Sequence, residues 1–334
     1  TCTGASCPAA ASTEVVAGRG HGFHAQLWRR DGPPVSGTCG IETAYAGNPG
    51  LKVWRSDDAS HPVAAAAPGI GATAVPNSLP GANNLTLDFV AGEADFTLAT
   101  SDVGKYVVNL RDDSSAFAAD ELGNPRPLEG SSATLTVRPF ALAVVDAHTG
   151  ATINPGVSAP GGAVFTAAGS NFQATVRAVR WQGIDDADND GVPDTGADLD
   201  DNASTAAYAW ATTLDAGNAL ALPYEPATGV RGALTRSGAA PVVAAAGEFA
   251  AGAAHPADLQ YSEVGSVTLG AQADNYLNSA GVSLGGWSSV IGRFIPYDFA
   301  VSTNTPQFAT QCGAGGFTYV GQVFGYSMPP VLSF

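Results

Sequence analysis

The chain has 334 residues, of which 30 are acidic and 14 are lysine or arginine, so its formal net charge is −16. This acidic excess argues against binding of nucleic acid or of anionic membranes, because both attract proteins through lysine and arginine. No apolar stretch approaches the roughly 20 residues of a membrane-spanning helix, so we expect no membrane span in this chain. The length predicts two to three domains.

Strand patterns dominate the chain after a cysteine-containing segment at residues 1–11. The predicted strands are rich in Val, Thr, Leu and aromatic residues, and turn sequences such as AGNPG and SDVG separate them. They cover residues 23–30, 51–56, 85–90, 95–100, 105–110 and 133–145. Long amphipathic helical patterns are missing. Short strands at this spacing predict an all-β fold made of β-sandwiches.

The second half of the chain repeats the first. FTLATSDVGKYVVNL (96–110) aligns with LQYSEVGSVTLGA (259–271), and FHAQLWRRDG (23–32) resembles FQATVRAVRWQGID (172–185). VRPFALAVVDA (137–147) likewise resembles GRFIPYDFAVSTN (292–304). The second copy is longer by about 12 residues, the length of a calcium-binding loop. We therefore expect an insertion between two strands of the second copy.

The stretch Asp102-Val-Gly-Lys-Tyr106 is similar to the tyrosine corner of immunoglobulin-like sandwiches, in which the tyrosine hydroxyl bonds to an upstream backbone group. Together with the repeat it predicts two tandem immunoglobulin-like sandwiches, at residues 12–139 and 140–300. Residues 301–334 are predicted to be the start of a further β element. With no flexible linker at the motifs RPF and RFIP, such sandwiches would form a fairly stiff rod.

The run DDADNDGVPDTGADLDDN (185–202), which we call the aspartate loop, carries eight aspartates. If Asp186 is position 1 of a calcium loop, aspartates occupy positions 1, 3, 5 and 9, and Gly191 occupies the sharp turn at position 6. The predicted ligands are Asp186, Asp188, Asp190, the carbonyl of Val192, Asp194 and Asp198. No lysine or arginine lies between Arg180 and Arg231, so charges near in sequence do not neutralise the loop.

Hard oxygen ligands favour Ca²⁺ as the cofactor, with Mg²⁺ as the lesser option. The alternative is a solvated acidic loop that binds no metal. We expect a bound calcium to order the insertion and to be structural. A ligand-bridging calcium would need an open coordination position.

The four cysteines are Cys2, Cys7, Cys39 and Cys312. They lack zinc-type spacing, and an even number in an acidic, glycine-rich chain indicates an exported protein with one or two disulfides. The alternative is buried free thiols, and the three conceivable pairings remain open. The chain has no signal peptide and is expected to be a processed or excised piece of a longer protein.

No catalytic constellation is evident, and we predict that the protein is not an enzyme. GVSLG around Ser283 matches the nucleophile-elbow pattern, but no histidine follows it and no helix is predicted there. Among the five tryptophans, Trp28, Trp54 and Trp181 lie in predicted strands, so we expect them in the core. Trp210 and Trp287 are the candidates for an exposed surface on which a sugar ring stacks.

Three stretches resemble one family. They are VRPFALAVVDA, VRAVRWQGIDDADNDGVPDTGADLDDN and GRFIPYDFAVSTNTPQFATQCGAGGFTYVGQVFGYSMPPVL. They are similar to the large surface proteins of the MSHA biogenesis MshQ type, which are linked to type IV pili of Gram-negative bacteria. The resemblance covers about residues 130–334 and carries over no catalytic residue.

The resemblance implies an exported, pilus-associated protein at the bacterial cell surface, an adhesin or a pilus biogenesis component. Its expected partners are pilus subunits or other surface proteins. The sequence therefore predicts a non-enzymatic, calcium-stabilised rod of immunoglobulin-like domains that acts in attachment. The alternative is a calcium-dependent carbohydrate-binding module chain, in which the aspartate loop and Trp210 or Trp287 contact glycans.

Overall fold

The computed structural model describes residues 13–31, 38–114, 124, 126–216, 224–298, 302–309, 320–321, 323 and 325–333. These residues form thirty β-strands and two short 3-10 helices, Ala246–Glu248 and Tyr276–Asn278, and they include no α-helix. The prediction of an all-β chain is confirmed. Within the same described residues, no helix has the length and apolar character needed to cross a membrane.

The first unit, residues 13–138, contains twelve strands in its described part. They are β1 (Glu14–Val16), β2 (Gly20–Gln26), β3 (Trp28–Asp31), β4 (Thr38–Ile41), β5 (Gly50–Asp57), β6 (Gly69–Ile70), β7 (Thr73–Ala74), β8 (Leu85–Thr86), β9 (Glu93–Ala99), β10 (Gly104–Asp112), β11 (Leu128–Ser131) and β12 (Leu135–Arg138).

Two sheets of the first unit share one core. One sheet has the order β1-β12-β10-β5-β8, with β11 also paired to β10, and the other has the order β2-β9-β6-β7. The side chains of strand β5 explain why the two sheets pack together. Leu51 and Val53 point into the core, while Lys52 and Trp54 lie on the opposite face of the strand. The inward side chains of the first sheet meet those of the second, including Leu98, in a single apolar cluster.

The second unit, residues 139–298, contains fourteen strands in its described part. They are β13 (Ala141–Thr149), β14 (Thr152–Ile153), β15 (Thr166–Ala167), β16 (Gln173–Val179), β17 (Thr212–Asp215), β18 (Tyr224–Glu225), β19 (Leu234–Arg236), β20 (Val242–Ala244), β21 (Ala253–Ala254), β22 (Leu259–Tyr261), β23 (Gly265–Val267), β24 (Gly270–Ala273), β25 (Leu284–Trp287) and β26 (Ile291–Ile295).

The strands of the second unit also enclose a common core. They form three four-stranded sheets, in the orders β14-β13-β16-β21, β15-β26-β23-β18 and β20-β17-β24-β25, and the pair β19-β22. Phe165, Phe172 and Phe294 meet edge-on in this core, with ring centroids 5.6 to 5.8 Å apart. Burial of each such side chain stabilises the fold by about 1.5–3 kcal/mol.

The last described strands form two short antiparallel pairs, one nested within the other in sequence. They are β27 (Ser302–Thr303), which pairs with β30 (Leu332–Ser333), and β28 (Gln307–Phe308), which pairs with β29 (Tyr326–Met328). Phe308 and Tyr326 are exposed and stack on one another, with ring centroids 5.3 Å apart.

The register of the strands supports the internal repeat. Phe23 of β2 pairs with Phe96 of β9, and Phe172 pairs with Leu259 in the second unit. The repeat aligns the two phenylalanines, and each pairs with the strand that leads into the aligned glycine, Gly104 or Gly265. In each unit a short early strand also runs parallel to the unit's closing strand, β1 with β12 and β15 with β26.

The tyrosine corner does not form as predicted. Tyr106 is 2% exposed, and its hydroxyl makes no hydrogen bond to any described residue. Its ring instead packs edge-on against His61, at 5.8 Å between centroids, while the Arg55 guanidinium lies 6.0 Å from the ring centroid. Packing therefore holds this tyrosine in the first unit, and the upstream backbone bond is absent.

Candidate metal centre at the junction of the two units

Three aspartates of the aspartate loop come together at its start. One carboxylate oxygen from each of Asp186, Asp188 and Asp190 lies within 4.8 Å of the other two. Asp186 is buried, whereas Asp188 and Asp190 are exposed. The loop lies between β16 and β17, which is the position that the repeat predicts for an insertion.

Hydrogen bonds to the Asp186 carboxylate shape the loop. Its Oδ1 accepts from the amide of Asp190 at 2.9 Å, and its Oδ2 accepts from the amide of Gly191 at 2.9 Å. The same Oδ2 accepts from the Trp181 indole nitrogen at 2.6 Å. Gly191 has φ +87°, which a residue with a Cβ adopts only at a cost, so this turn needs glycine.

The pKa values of the two leading aspartates move in opposite directions. Burial opposes ionisation of Asp186, but the hydrogen bonds from Trp181, Gly191 and Asp190 outweigh it and lower the pKa of this carboxyl. At Asp188 the bond from the Asp190 amide favours the charged form. The neighbouring carboxylates and partial desolvation outweigh that bond and raise the Asp188 pKa. The loop thus concentrates negative charge that a cation would offset.

The structure uses the other predicted ligands differently. The Asp194 Oδ2 accepts from the Ala187 amide at 2.7 Å, which closes the loop on itself. The Asp198 Oδ1 accepts from the Asp200 amide at 3.1 Å, and the Val192 amide donates to Asp190 Oδ1 at 2.7 Å. In the part of the chain that the structure describes, Asp194 and Asp198 do not join the three-carboxylate group. Ligation by Asp194, Asp198 and the Val192 carbonyl stays a prediction.

Two arginines of the first unit contact the aspartate loop, although both are far from it in sequence. The Arg19 side chain donates to the Asn189 side-chain oxygen at 2.8 Å and also to the Asn189 carbonyl. The Arg138 Nη2 donates to the Gly191 carbonyl at 2.9 Å, and Arg138 also pairs with Glu14. The loop itself contains no lysine or arginine that could pair with its aspartates. The contacts from Arg19 and Arg138 were therefore not predicted.

Further contacts join the two units beside the loop. Asp102, which is 5% exposed, accepts from the amides of Val103 at 2.9 Å and of Ala207 in the second unit at 3.0 Å. The Lys105 Nζ donates to the Leu277 carbonyl at 2.9 Å. Val16, Phe140, Ala141, Ala143, Val145, Val179 and Leu199 form a small apolar core where β12 passes into β13.

The tryptophans do not divide as predicted. All five are half-buried, and none of them is either fully buried or fully exposed. The Trp210 indole donates to the Asp274 carbonyl at 3.2 Å, and its ring packs edge-on against Tyr276. Trp287 lies in β25, opposite Gly270. Trp210 and Trp287 are therefore no more exposed than the other three tryptophans, and their role as a stacking surface stays a prediction.

The remaining candidates lie apart from the loop. Ser283 directly precedes β25, so it does not stand on the strand-to-helix turn that a nucleophile elbow requires. Cys39 lies in β4 and is disulfide-bonded. Cys2, Cys7 and Cys312 lie outside the described residues, and the pairing of the cysteines stays a prediction.

Comparison with protein families finds two adjoining matches. The model of the second domain of DUF6701 matches residues 138–255, and that of its third domain matches residues 263–333. Together the two matches cover more than half of the chain. A search of the curated proteins finds no match.

The boundary between the two matches falls inside the second unit. Strands β23, β24 and β26 lie in the third-domain match, yet they pair with β18, β17 and β15 of the second-domain match. Their side chains also enter the same apolar core. Up to residue 295, the two matched segments therefore form shared sheets around one apolar core.

Proposed function

Because the chain belongs to the DUF6701 family, whose second and third domains it contains, we propose that it is a non-enzymatic protein of the bacterial cell surface that acts in attachment. In this proposal it is an adhesin or a biogenesis component associated with type IV pili, as the resemblance to MshQ-type proteins implies. Its units are immunoglobulin-like sandwiches held in a stiff row, and calcium stabilises the aspartate loop.

The strand order supports the immunoglobulin-like assignment. In the first unit, β1 runs parallel to β12, and β12, β10 and β5 follow one another in the same sheet. The partner sheet contains β2, β9 and β6. A sandwich of two such sheets, with a parallel pair formed by its early and closing strands, is consistent with this fold class.

The observation that carries the proposal is the closed junction between the units. Arg19 and Arg138 bond to the aspartate loop, Asp102 bonds to Ala207, and Lys105 bonds to Leu277. These contacts come from several segments of both units, and only Pro139 and Phe140 separate β12 from β13. Units joined in this way would keep a fixed orientation, which suits a protein that holds a binding end away from the cell.

Calcium fits the aspartate loop through its ligand chemistry. Three carboxylates within 4.8 Å repel one another, and the two arginines reach only backbone and amide oxygens of the loop. Oxygen ligands from aspartates and carbonyls match the preference of Ca²⁺, and the exposure of Asp188 and Asp190 leaves the site accessible. Because Arg19 and Arg138 bond to the same loop, a calcium ion that orders the loop would also stiffen the junction.

Calorimetry and small-angle X-ray scattering of the whole chain test this proposal. We expect stoichiometric calcium binding. When calcium replaces chelator, the scattering profile should fit a single extended shape better than it does without calcium. Asp188→Asn and Asp190→Asn should weaken binding at least tenfold. Asp88→Asn removes the same charge from an exposed site of the first unit and should leave binding unchanged. Equal calcium affinity in all variants contradicts the metal assignment.

Surface location needs its own measurement. Antibodies against the chain should label intact cells of the source bacterium, and mechanical shearing should release the protein together with pili. Cells that lack the protein should attach less to surfaces. Labelling that appears only after the cells are lysed would contradict the proposal.

A further inference from the structure

An open cleft lies where the two units meet, next to the aspartate loop. We call it the junction cleft, and its volume is about 630 Å³. Gly18, Gly69 and Thr100 line it from the first unit, and Arg180, Trp181 and Gln182 line it from the second. This volume falls within the range of roughly 300–1,000 Å³ that is typical of small-molecule sites.

Arg180 is unusual among the arginines of this acidic chain. Among the arginines whose side chains the structure describes, only Arg180 and the exposed Arg126 lack a hydrogen-bond or ion-pair partner. Arg180 is half-buried, and its Nε is fully shielded without a partner. The shielded Nε is costly to leave unpaired, and the two terminal nitrogens have no partner among the described residues, so an anion in the junction cleft that bonds to the terminal nitrogens would offset part of that cost.

Thr100 adds a second unpaired group to the junction cleft. Its side-chain oxygen is buried, the residue is 5% exposed, and no described residue bonds to this oxygen. The Thr100 carbonyl accepts from the Gly18 amide at 2.7 Å, which fixes the backbone beneath it. Buried hydroxyls almost always have a partner, so this hydroxyl points to a ligand or an ordered water in the cleft.

The remaining lining residues match the surface of a sugar. Trp181 is half-buried against the small apolar core and also lines the cleft, where an aromatic side chain can contact the apolar face of a pyranose ring. The Gln182 amide makes only a long bond, 3.3 Å, to Asp201, so it is available to hydroxyls. Asp201 is exposed, lines the same cleft and accepts from hydroxyls, and its charge favours a pose in which the ligand carboxylate lies on Arg180 and away from Asp201.

We propose that the junction cleft binds a carboxylate-bearing saccharide, with the sugar carboxylate on Arg180 and sugar hydroxyls on Thr100 and Gln182. Guanidinium groups bind carboxylates through two parallel hydrogen bonds, which makes Arg180 the residue that selects an acidic sugar over a neutral one. This inference deepens the attachment function proposed above and rests on it, because it names the class of ligand. It also moves the sugar site from Trp210 and Trp287 to Trp181.

Titration calorimetry of the whole chain, with calcium present, tests the assignment. The probes are a trisaccharide of galacturonic acid and its methyl ester, which differ only in the carboxylates. We expect the acid to bind at least tenfold more tightly than the ester. Arg180→Gln should remove that difference, whereas Arg126→Gln, which removes an exposed unpaired arginine, should preserve it.

Thr100→Val is the variant that separates binding from folding. Because the hydroxyl has no protein partner, this variant should unfold at the same temperature as the native chain or a higher one. It should nevertheless bind the acid trisaccharide several-fold more weakly. Absence of binding by both probes, equal binding of acid and ester, or full binding by Arg180→Gln would each overturn the proposal. Intact binding in a protein that does not support cell attachment would overturn only the attachment function.

Discussion

Replacing Asp102 with alanine should loosen the junction between the two units. The substitution removes the acceptor of three amide groups at a position that is 5% exposed: those of Val103 and Ala207, and through a longer bond of 3.4 Å that of Ala66. A buried donor left without an acceptor costs about 1–3 kcal/mol. We therefore expect Asp102→Ala to lower the free energy of unfolding by about 2–4 kcal/mol, after allowance for partial access of water to Ala207.

Urea unfolding followed by tryptophan fluorescence and by circular dichroism measures this change. Both signals are needed because two units of one chain need not unfold in one step. Asp102→Asn keeps a side-chain oxygen for the Val103 and Ala207 amides and should cost no more than about 1 kcal/mol, since it loses only the charge and the long bond from the exposed Ala66 amide. If the alanine and asparagine variants unfold at the same urea concentration, the two amides gain nothing from the carboxylate and the reasoning about the junction fails.

Three further predictions follow from the contacts described above. Gly191→Ala should destabilise the chain by about 1 kcal/mol more than Gly196→Ala in urea unfolding, because both glycines have φ near +87° but only the Gly191 Cβ would meet the first unit, at 3.0 Å from an arginine nitrogen. Tyr106→Phe should leave the melting temperature unchanged or raise it, since the lost hydroxyl has no described partner, and a clear drop would reveal one. The hydrogen bond that the protonated His24 ring donates to Asp95 raises the pKa of His24, so the contribution of this pair to stability should be full below pH 6.5 and fade as the pH rises through the higher folded-state value. An NMR titration should show that Asp95→Asn lowers the His24 pKa.

Much of the strand framework was predictable because strand patterns are local. Alternating apolar residues and turn sequences mark β2, β5, β9 and β10 in the sequence, and the repeat aligns Phe23 with Phe172. The structure pairs both phenylalanines with the strand that the repeat assigns to them. The alternation in the sequence also indicates the face of β5 on which Trp54 lies. It is in phase with Lys52 and out of phase with Val53, so it belongs to the outward face of β5.

The cluster of three aspartates was predictable for the same reason, and the junction was not. Asp186, Asp188 and Asp190 converge because their spacing and Gly191 bend a single loop. Arg138 reaches that loop only after the whole first unit has folded, and no local pattern in the sequence encodes such a pairing. Asp102 was interpreted as part of a tyrosine corner, whereas its carboxylate bonds to an amide of the other unit.

The parallel pairing of β1 with β12 has a mechanical consequence. Bonds on both sides extend the pair, from the Thr136 amide to Thr13 and from the Ala17 amide to Arg138, each at 2.8 Å. Tension applied at the start of β1 and at the end of β12 slides these strands along one another, so their hydrogen bonds share the load and must break together. A hairpin pulled from its two adjacent ends opens one bond at a time. The first unit is thus arranged to resist stretching along the chain, a property that the attachment role proposed above would require.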